Sequence, residues 1–281
     1  MRSPPVDVDP PVPATGVLID LRNFTRSLNA SLTDDRGTNQ FCYFLAEFYA
    51  VSLELCMLAL APDERDEPPL SVNSTGDGLL VLFDGPRHFI HGLLAAFLLE
   101  AGLRRLCERR NASAPEMPTV SFGVGVESGT ISWVRARQGS VGVDTFIGHC
   151  VNIAARVEAL TKIVASARVL IGDTTVERCA EALYGETFAA LRARERAATS
   201  DAARVSLQKR MDEMNRDLCL TFLHRYTLKG VDEPVPLYRL EEAAMVVGVA
   251  RFERLLAALV AGNVTHLAEL RSRFAGASAG S

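Results

Sequence analysis

The 281-residue chain has no CxxC pair, no Cys/His cluster at metal-ligand spacing and a single tryptophan. Its six cysteines (Cys42, Cys56, Cys107, Cys150, Cys179, Cys219) are scattered, most of them among apolar neighbours. That excludes a zinc ribbon or a disulfide framework and predicts buried reduced thiols in a reducing compartment, the cytoplasm. Basic charge is not in excess either: 30 Lys and Arg stand against 34 Asp and Glu, a formal net charge of −4. No broad surface for nucleic acid or anionic lipid is expected from that balance. The opening residues carry prolines and acids in place of a basic start and an apolar run, so no signal peptide is expected. The most apolar stretches, 44–61 and 93–103, are cut by Glu47, Glu54 and Glu100. They are expected to be too short or too polar to insert into a membrane.

What the sequence does have is core-forming material: 48% of residues are hydrophobic and 23% charged, enough for one large domain with appendages. Residues 1–14 are rich in Pro and Asp and are expected to form a flexible tail. Gly16-Val-Leu-Ile-Asp20 reads as a buried strand ending in a carboxylate. Residues 41–60 carry apolar positions at spacings of three and four, an amphipathic helix. Two apolar runs, 70–74 and 79–83, flank Thr75-Gly-Asp-Gly78 and predict a hairpin. A second helix is expected over 89–107, a strand over 119–127, a third helix over 152–160 and a short strand over 168–171. Strand, helix, hairpin, helix, strand is an α+β order with a ferredoxin-like βαββαβ core. The main domain is assigned to 15–242, with a helical insertion at about 189–217 and a helical C-terminal extension over 243–281. Leu207, Met211, Met214 and Leu218 in the insertion form a short coiled-coil-like seam, either packing on its own domain or making a dimer contact.

Asp20 ends an apolar strand, where a charge is costly unless it meets a partner or a metal. Asp77 lies in a tight glycine turn, where an Asp alone is unremarkable. The fold order brings the first strand beside the hairpin. Two carboxylates there could share a pair of Mg²⁺ or Mn²⁺ ions able to activate a hydroxyl and steady a phosphoryl group.

Four stretches in order then carry a resemblance. Leu18-Ile-Asp-Leu-Arg-Asn-Phe-Thr25, Ser74-Thr-Gly-Asp-Gly78, Phe146-Ile-Gly-His-Cys-Val-Asn-Ile-Ala-Ala-Arg156 and Leu228-Lys-Gly-Val-Asp-Glu-Pro-Val-Pro-Leu-Tyr238 resemble the motifs of class III nucleotide cyclase domains. The resemblance implies formation of a 3′,5′-cyclic nucleotide and pyrophosphate with two divalent ions, Mn²⁺ or Mg²⁺. Asp20 and Asp77 would be the metal ligands, joined by the carbonyl of Leu21. The amides of Asn23, Phe24 and Thr25 would cradle phosphates, with Thr75 in the second metal hairpin also near substrate. Asn152 would orient the ribose, Arg156 would stabilise charge at the α-phosphate, and Lys229 would bind phosphate. Asn152 and Arg156 lie one helical turn apart on one face. In this family they and the aspartates come from opposite subunits, so a homodimer with sites at the interface is expected.

The base-reading positions depart from the family. Where purine-specific members carry a Lys and an Asp, this chain has Asn73 and Thr145, both neutral and able to donate and accept. Three readings stay open: a pyrimidine cyclase (UTP ahead of CTP) like those of bacterial antiphage systems, an adenylate cyclase with an altered pocket, or a nucleotide-binding regulatory module without turnover. In the first, a separate cyclic-nucleotide-binding effector would read the product. A diguanylate-cyclase relative is disfavoured because no Gly-Gly-Asp/Glu-Glu-Phe stretch is present. His149 is read as a structural or dimer-contact residue, Trp133 and Arg135 as interface residues, Tyr43 and Tyr49 as core or pocket-wall aromatics that could stack on a base, and Arg104, Arg105, Arg109 and Arg110 as a solvated helix end.

Overall fold

The structure, a computed structural model, describes residues 6–32, 35–138, 141–164, 167–241 and 250–275. Its centre is the pairing of β2 (Val12–Arg22) with β4 (Gly78–Asp84) on one side and β5 (Ser121–Gln138) on the other. With β3 (Leu70–Ser74), β7 (Val169–Gly172), β8 (Leu220–Tyr226) and β9 (Val235–Leu240), the sheet runs β3-β4-β2-β5-β7-β9-β8. Only the β5–β7 pair within that path is parallel. The first four strands stand in the order the βαββαβ arrangement requires, so the expected fold class holds. Short strands β1 (Val6–Val8) and β6 (Val141–Gly148) both pair with the distal half of β5.

The period-two alternation of β2 decides which side chain meets which layer. Val17, Ile19 and Leu21 enter the large core shared with α2 (Asp35–Leu58) and α3 (His88–Ser113). Ala14 and Leu18 belong to a smaller cluster on the opposite face. There α4 (His149–Leu160) lies along β2 and β5, and Asp20 shares its parity. The approach is close because Gly125 leaves room: a Cβ there would stand 2.1 Å from the Ala154 carbonyl oxygen. A glycine is required by that contact, not by backbone conformation.

The periphery is tied into the same sheet and core. The tail predicted over 1–14 is ordered structure from Val6 onward. β1 pairs with β5, and Arg135 holds Asp9 through two bonds of 2.9 Å; residues 1–5 lie outside the described residues. The insertion is two helices, α6 (Phe188–Ala197) and α7 (Asp201–Asp217), following α5 (Asp173–Tyr184). Its seam packs inward: Met211, Met214 and Leu218 are buried in the main core and Leu207 packs against it. The dimer-contact reading of that seam therefore loses to packing on its own domain.

The C-terminal extension is likewise part of the domain. Its helices α8 (Ala250–Leu259) and α9 (Val264–Ala275) place Phe252, Leu255, Leu256, Leu259 and Phe274 in the same core. Each such side chain contributes roughly 1.5–3 kcal/mol by leaving water. A bidentate Arg65–Glu269 pair and the hydrogen bond between His266 and the Leu58 carbonyl fasten α9 in addition. The boundary expected between 242 and 243 lies outside the described residues. One further point departs from expectation: Gly37–Leu58 of α2 is long and apolar enough to cross a membrane by length and composition. Phe41, Phe44, Phe48 and Leu55 on one side of it are buried in the core, and Gln40, Tyr43, Glu47 and Glu54 on the other are exposed.

Candidate functional site

Asp20 is the last position at which β2 pairs with β4, directly opposite Gly78. The turn before Gly78 bends back on it, so that the Leu21 amide donates to the Asp77 carbonyl at 3.0 Å. Gly76 takes φ +94 in this turn, a conformation that side chains strongly disfavour. The Thr75 amide donates to the Gly78 carbonyl at 2.9 Å, and the Tyr49 hydroxyl on α2 donates to the Gly76 carbonyl. Tyr49 thus holds the Asp77 turn from outside the sheet.

Past β2 the chain turns through Asn23, whose φ of 62 is left-handed, and enters α1 (Phe24–Ser31). Asn23 does not cap this helix; its side-chain amide donates to the Thr119 carbonyl at 2.9 Å. No acidic residue lies in the first turn. The end of α1 is therefore left with free N–H donors and the positive end of its dipole, a receptive place for an anion.

These pieces enclose one cleft of about 510 Å³. Asp20, Leu21, Asn23, Phe24, Thr25 and Asp77 all line it, as do Arg22, Arg26, Ser121 and Lys162, which sequence reasoning did not single out. Among the described residues no cluster of three or more His, Cys, Asp or Glu converges as a metal site. Two carboxylates and a backbone carbonyl fall below that count, yet they are the hard oxygen donors that Mg²⁺ and Mn²⁺ prefer. Asp20 already holds a cation: the Lys162 ammonium lies 2.9 Å from its Oδ2. The residues fit a divalent ion.

Beneath Asp20 is a carboxylate that the motifs did not flag. Glu158 on α4 is 3% exposed and stands 3.6 Å from the Lys162 ammonium. Burial raises its pKa, the charge of Asp20 adds to the rise, and Lys162 and Arg22 oppose it. Burial lowers the pKa of Arg22, against the pull of Glu158 and Asp20. Burial also works against the charge on Lys162, but the hydrogen bond to Asp20 and the charges of Glu158 and Asp20 outweigh it, leaving that pKa raised. Gly123 makes the packing possible, since a Cβ there would stand 2.3 Å from Glu158 Oε1. The available signal was spacing: Glu158 and Lys162 are an i,i+4 pair ending the helix whose earlier residues carry the motif.

The remaining motif residues are elsewhere. Asn152 is exposed on α4, and Arg156 one turn later lies against the turn between β8 and β9. A Cβ on Gly230, which follows Lys229, would be 3.5 Å from both terminal nitrogens of Arg156. Asn73 lies on the edge strand β3 opposite Leu80, and Thr145 on β6 opposite Val134. Thr75 stays near the cleft as part of the Asp77 turn. Within one chain, then, the structure gathers the carboxylates and the amide cradle in one cleft. It does not bring Asn152, Arg156, Lys229, Asn73 or Thr145 into that cleft.

No family model matches the chain. It is 33% identical over 94 residues to an adenylate cyclase of Anabaena cylindrica, a match that covers 31% of this chain and 18% of that protein. The chain thus spans about a fifth of that relative's length. Solved structures resemble most of it. The adenylyl cyclase CyaB from P. aeruginosa matches with a TM-score of 0.53 at 17% identity, over 83% of this chain and 95% of that one. A bacterial light-regulated adenylyl cyclase gives 0.55 at 13% identity over 92% of this chain and 58% of that one. A guanylyl cyclase gives 0.52 at 14% over 82% and 92%. The fold is that of nucleotide cyclase domains.

Proposed function

We propose that the chain is a metal-dependent nucleotide cyclase that closes a nucleoside triphosphate into its 3′,5′-cyclic monophosphate and releases pyrophosphate. The observation that carries the reading is the meeting of Asp20, the Asp77 turn and the uncapped start of α1 in one cleft. Two carboxylates beside an anion-receptive helix end suit a cation-bridged triphosphate.

Asp20, Asp77 and the Leu21 carbonyl would hold two divalent ions, Mn²⁺ or Mg²⁺, whose chemistry is to acidify the 3′-hydroxyl and neutralise the triphosphate. The amides of Asn23, Phe24 and Thr25 orient the β- and γ-phosphates. The ribose 3′-oxygen attacks the α-phosphorus in line, losing its proton as the bond to pyrophosphate breaks. Asn152 positions the ribose, Arg156 offsets charge at the α-phosphate, and Lys229 holds phosphate. Because these three stand outside the Asp20 cleft, the reading requires a second copy to supply them, in a homodimer with two equivalent sites.

Asn73 and Thr145 would meet the base. Both are neutral and half-buried, suited to a pyrimidine edge, so UTP is the favoured substrate, ahead of CTP. In this reading the product is cUMP, a second messenger of antiphage defence read by a separate effector. The stretch of identity with an adenylate cyclase favours ATP as the second reading. Purified protein is incubated with Mn²⁺ and ATP, GTP, CTP or UTP in turn, and products are identified by mass. A cyclic pyrimidine supports the full reading, and cyclic AMP keeps the cyclase but overturns the reading of Asn73 and Thr145. No product from any of the four would leave a nucleotide-binding module without turnover.

A further inference from the structure

Lys162 stands just beyond α4, in a turn that hydrogen bonds pin closely. The Lys162 amide donates to the Ala159 carbonyl at 3.2 Å, and the amide and hydroxyl of Thr161 donate to the Glu158 carbonyl at 2.8 and 2.5 Å. The backbone is fixed while the side chain is 49% exposed. Its ammonium reaches inward to Asp20, 17% exposed, and Glu158, 4% exposed at its side chain. Placed between two carboxylates, it reduces their mutual repulsion.

That placement has a cost for any other cation. A divalent ion that takes Asp20 must displace the ammonium, and the ammonium then keeps only Glu158 at 3.6 Å. A cation arriving alone therefore gives up an existing ion pair. A cation arriving with a triphosphate brings anionic oxygens into the cleft that Lys162 itself lines, next to Asn23 and Thr25. The displaced ammonium gains a new partner, so the second arrival is favoured over the first.

We propose that Lys162 couples cation binding at Asp20 to triphosphate binding, its ammonium competing with the divalent ion for Asp20 and pairing with the phosphates once displaced. This rests on the cyclase reading of the cleft and names a positioning residue within it. Coupling of this kind is reciprocal: the triphosphate strengthens cation binding by the same factor that the cation strengthens triphosphate binding.

The test is a calorimetric titration of the full chain with Mn²⁺ alone, and separately with preformed Mn²⁺–tripolyphosphate, which carries no base. Lys162→Met is expected to tighten Mn²⁺ alone by about tenfold and to weaken Mn²⁺–tripolyphosphate by a similar factor, each about 1.4 kcal/mol. Lys162→Arg, which keeps the charge, should retain the wild-type preference. If Lys162→Met unfolds, the double variant Lys162→Met/Glu158→Gln removes the unbalanced carboxylate and should show the same tightening. A purely structural lysine would weaken both titrations when lost, and that outcome, or unchanged affinities, overturns the proposal. Asp20→Asn should abolish Mn²⁺ binding in either background. Were Asp20→Asn to bind Mn²⁺ as the wild type does, the cation site itself would be misassigned and the coupling would fall with it.

Discussion

Helix α4 and the turn that follows it carry two pairs at i,i+4 spacing, and they face different worlds. Asn152 and Arg156 lie on its outer side, Arg156 against the Lys229–Gly230 turn. Glu158 and Lys162 close its far end beneath Asp20. The outer pair belongs to a recognisable motif and has no partner in the cleft of its own chain. The inner pair belongs to none of the motifs and is already engaged, with like charges separated by an ammonium. The proposed assembly of two copies needs the first arrangement, because the outer pair must then stay available to another molecule. It needs the second to offset the like charges of Asp20 and Glu158 until a ligand comes.

The sharpest way to break that contrast is to remove the outer pair. Arg156→Ala should lower turnover by about 10²–10³-fold, the cost of losing one charge-stabilising donor, with thermal unfolding unchanged. Asp77→Ala should be at least as damaging. Mixed with Arg156→Ala protein it should recover activity, because one of the two sites in each heterodimer is then intact. Persistent inactivity of the mixture, with heterodimers demonstrated, would show that each chain works alone.

Much of this was legible beforehand for a physical reason. Asp20 and Asp77 are marked by short-range context, a strand end and a glycine turn, and strand pairing brings them together. Asn152 and Arg156 are marked by helical spacing. Glu158 and Lys162 are marked in the sequence by spacing alone, and their meaning comes from packing: α4 reaches Asp20 because Gly123 and Gly125 on β5 carry no side chain. The helices after 188 were read as additions because polar outer faces dominate their composition, whereas Met214 and Phe274 are buried in the main core. Tyr49 was read as a core aromatic, and its hydroxyl proves to hold the Asp77 turn.

Phe274→Ala sharpens the comparison by acting on the opposite face of the sheet. Phe274 stacks edge-on against Phe252, with ring centres 5.1 Å apart. Its loss should cost about 3 kcal/mol of stability, seen as a lower denaturant midpoint, while the folded protein keeps its affinity for Mn²⁺–tripolyphosphate. Gly125→Ala should cost somewhat less, about 2 kcal/mol of overpacking, but its Cβ collides with the backbone of α4 at Ala154 and Glu158. Here the affinity should fall together with stability. If Phe274→Ala disturbed the cleft and Gly125→Ala did not, α4 would not be what transmits packing to Asp20.

The smallest expected effect contrasts Glu158 with the other buried acid of β5 and α4, Glu127. Glu158 has Lys162 and Arg22 beside it, whereas Glu127 is met by hydrogen bonds from Thr174 and Thr175 at the start of α5. Burial lifts the Glu127 pKa from 4.5 to about 7, with the Asp173 charge adding to the rise. A carboxyl whose pKa is raised by folding favours the folded state most below about pH 4.5 and loses that contribution as pH climbs through about 7. Glu127→Gln, which carries no proton to lose, should escape the loss. The melting temperature of the variant relative to wild type should therefore increase between those two pH values. A difference that stayed flat across the range would mean that the carboxylate of Glu127 is ionised in the folded protein and stabilised there by the amides of α5.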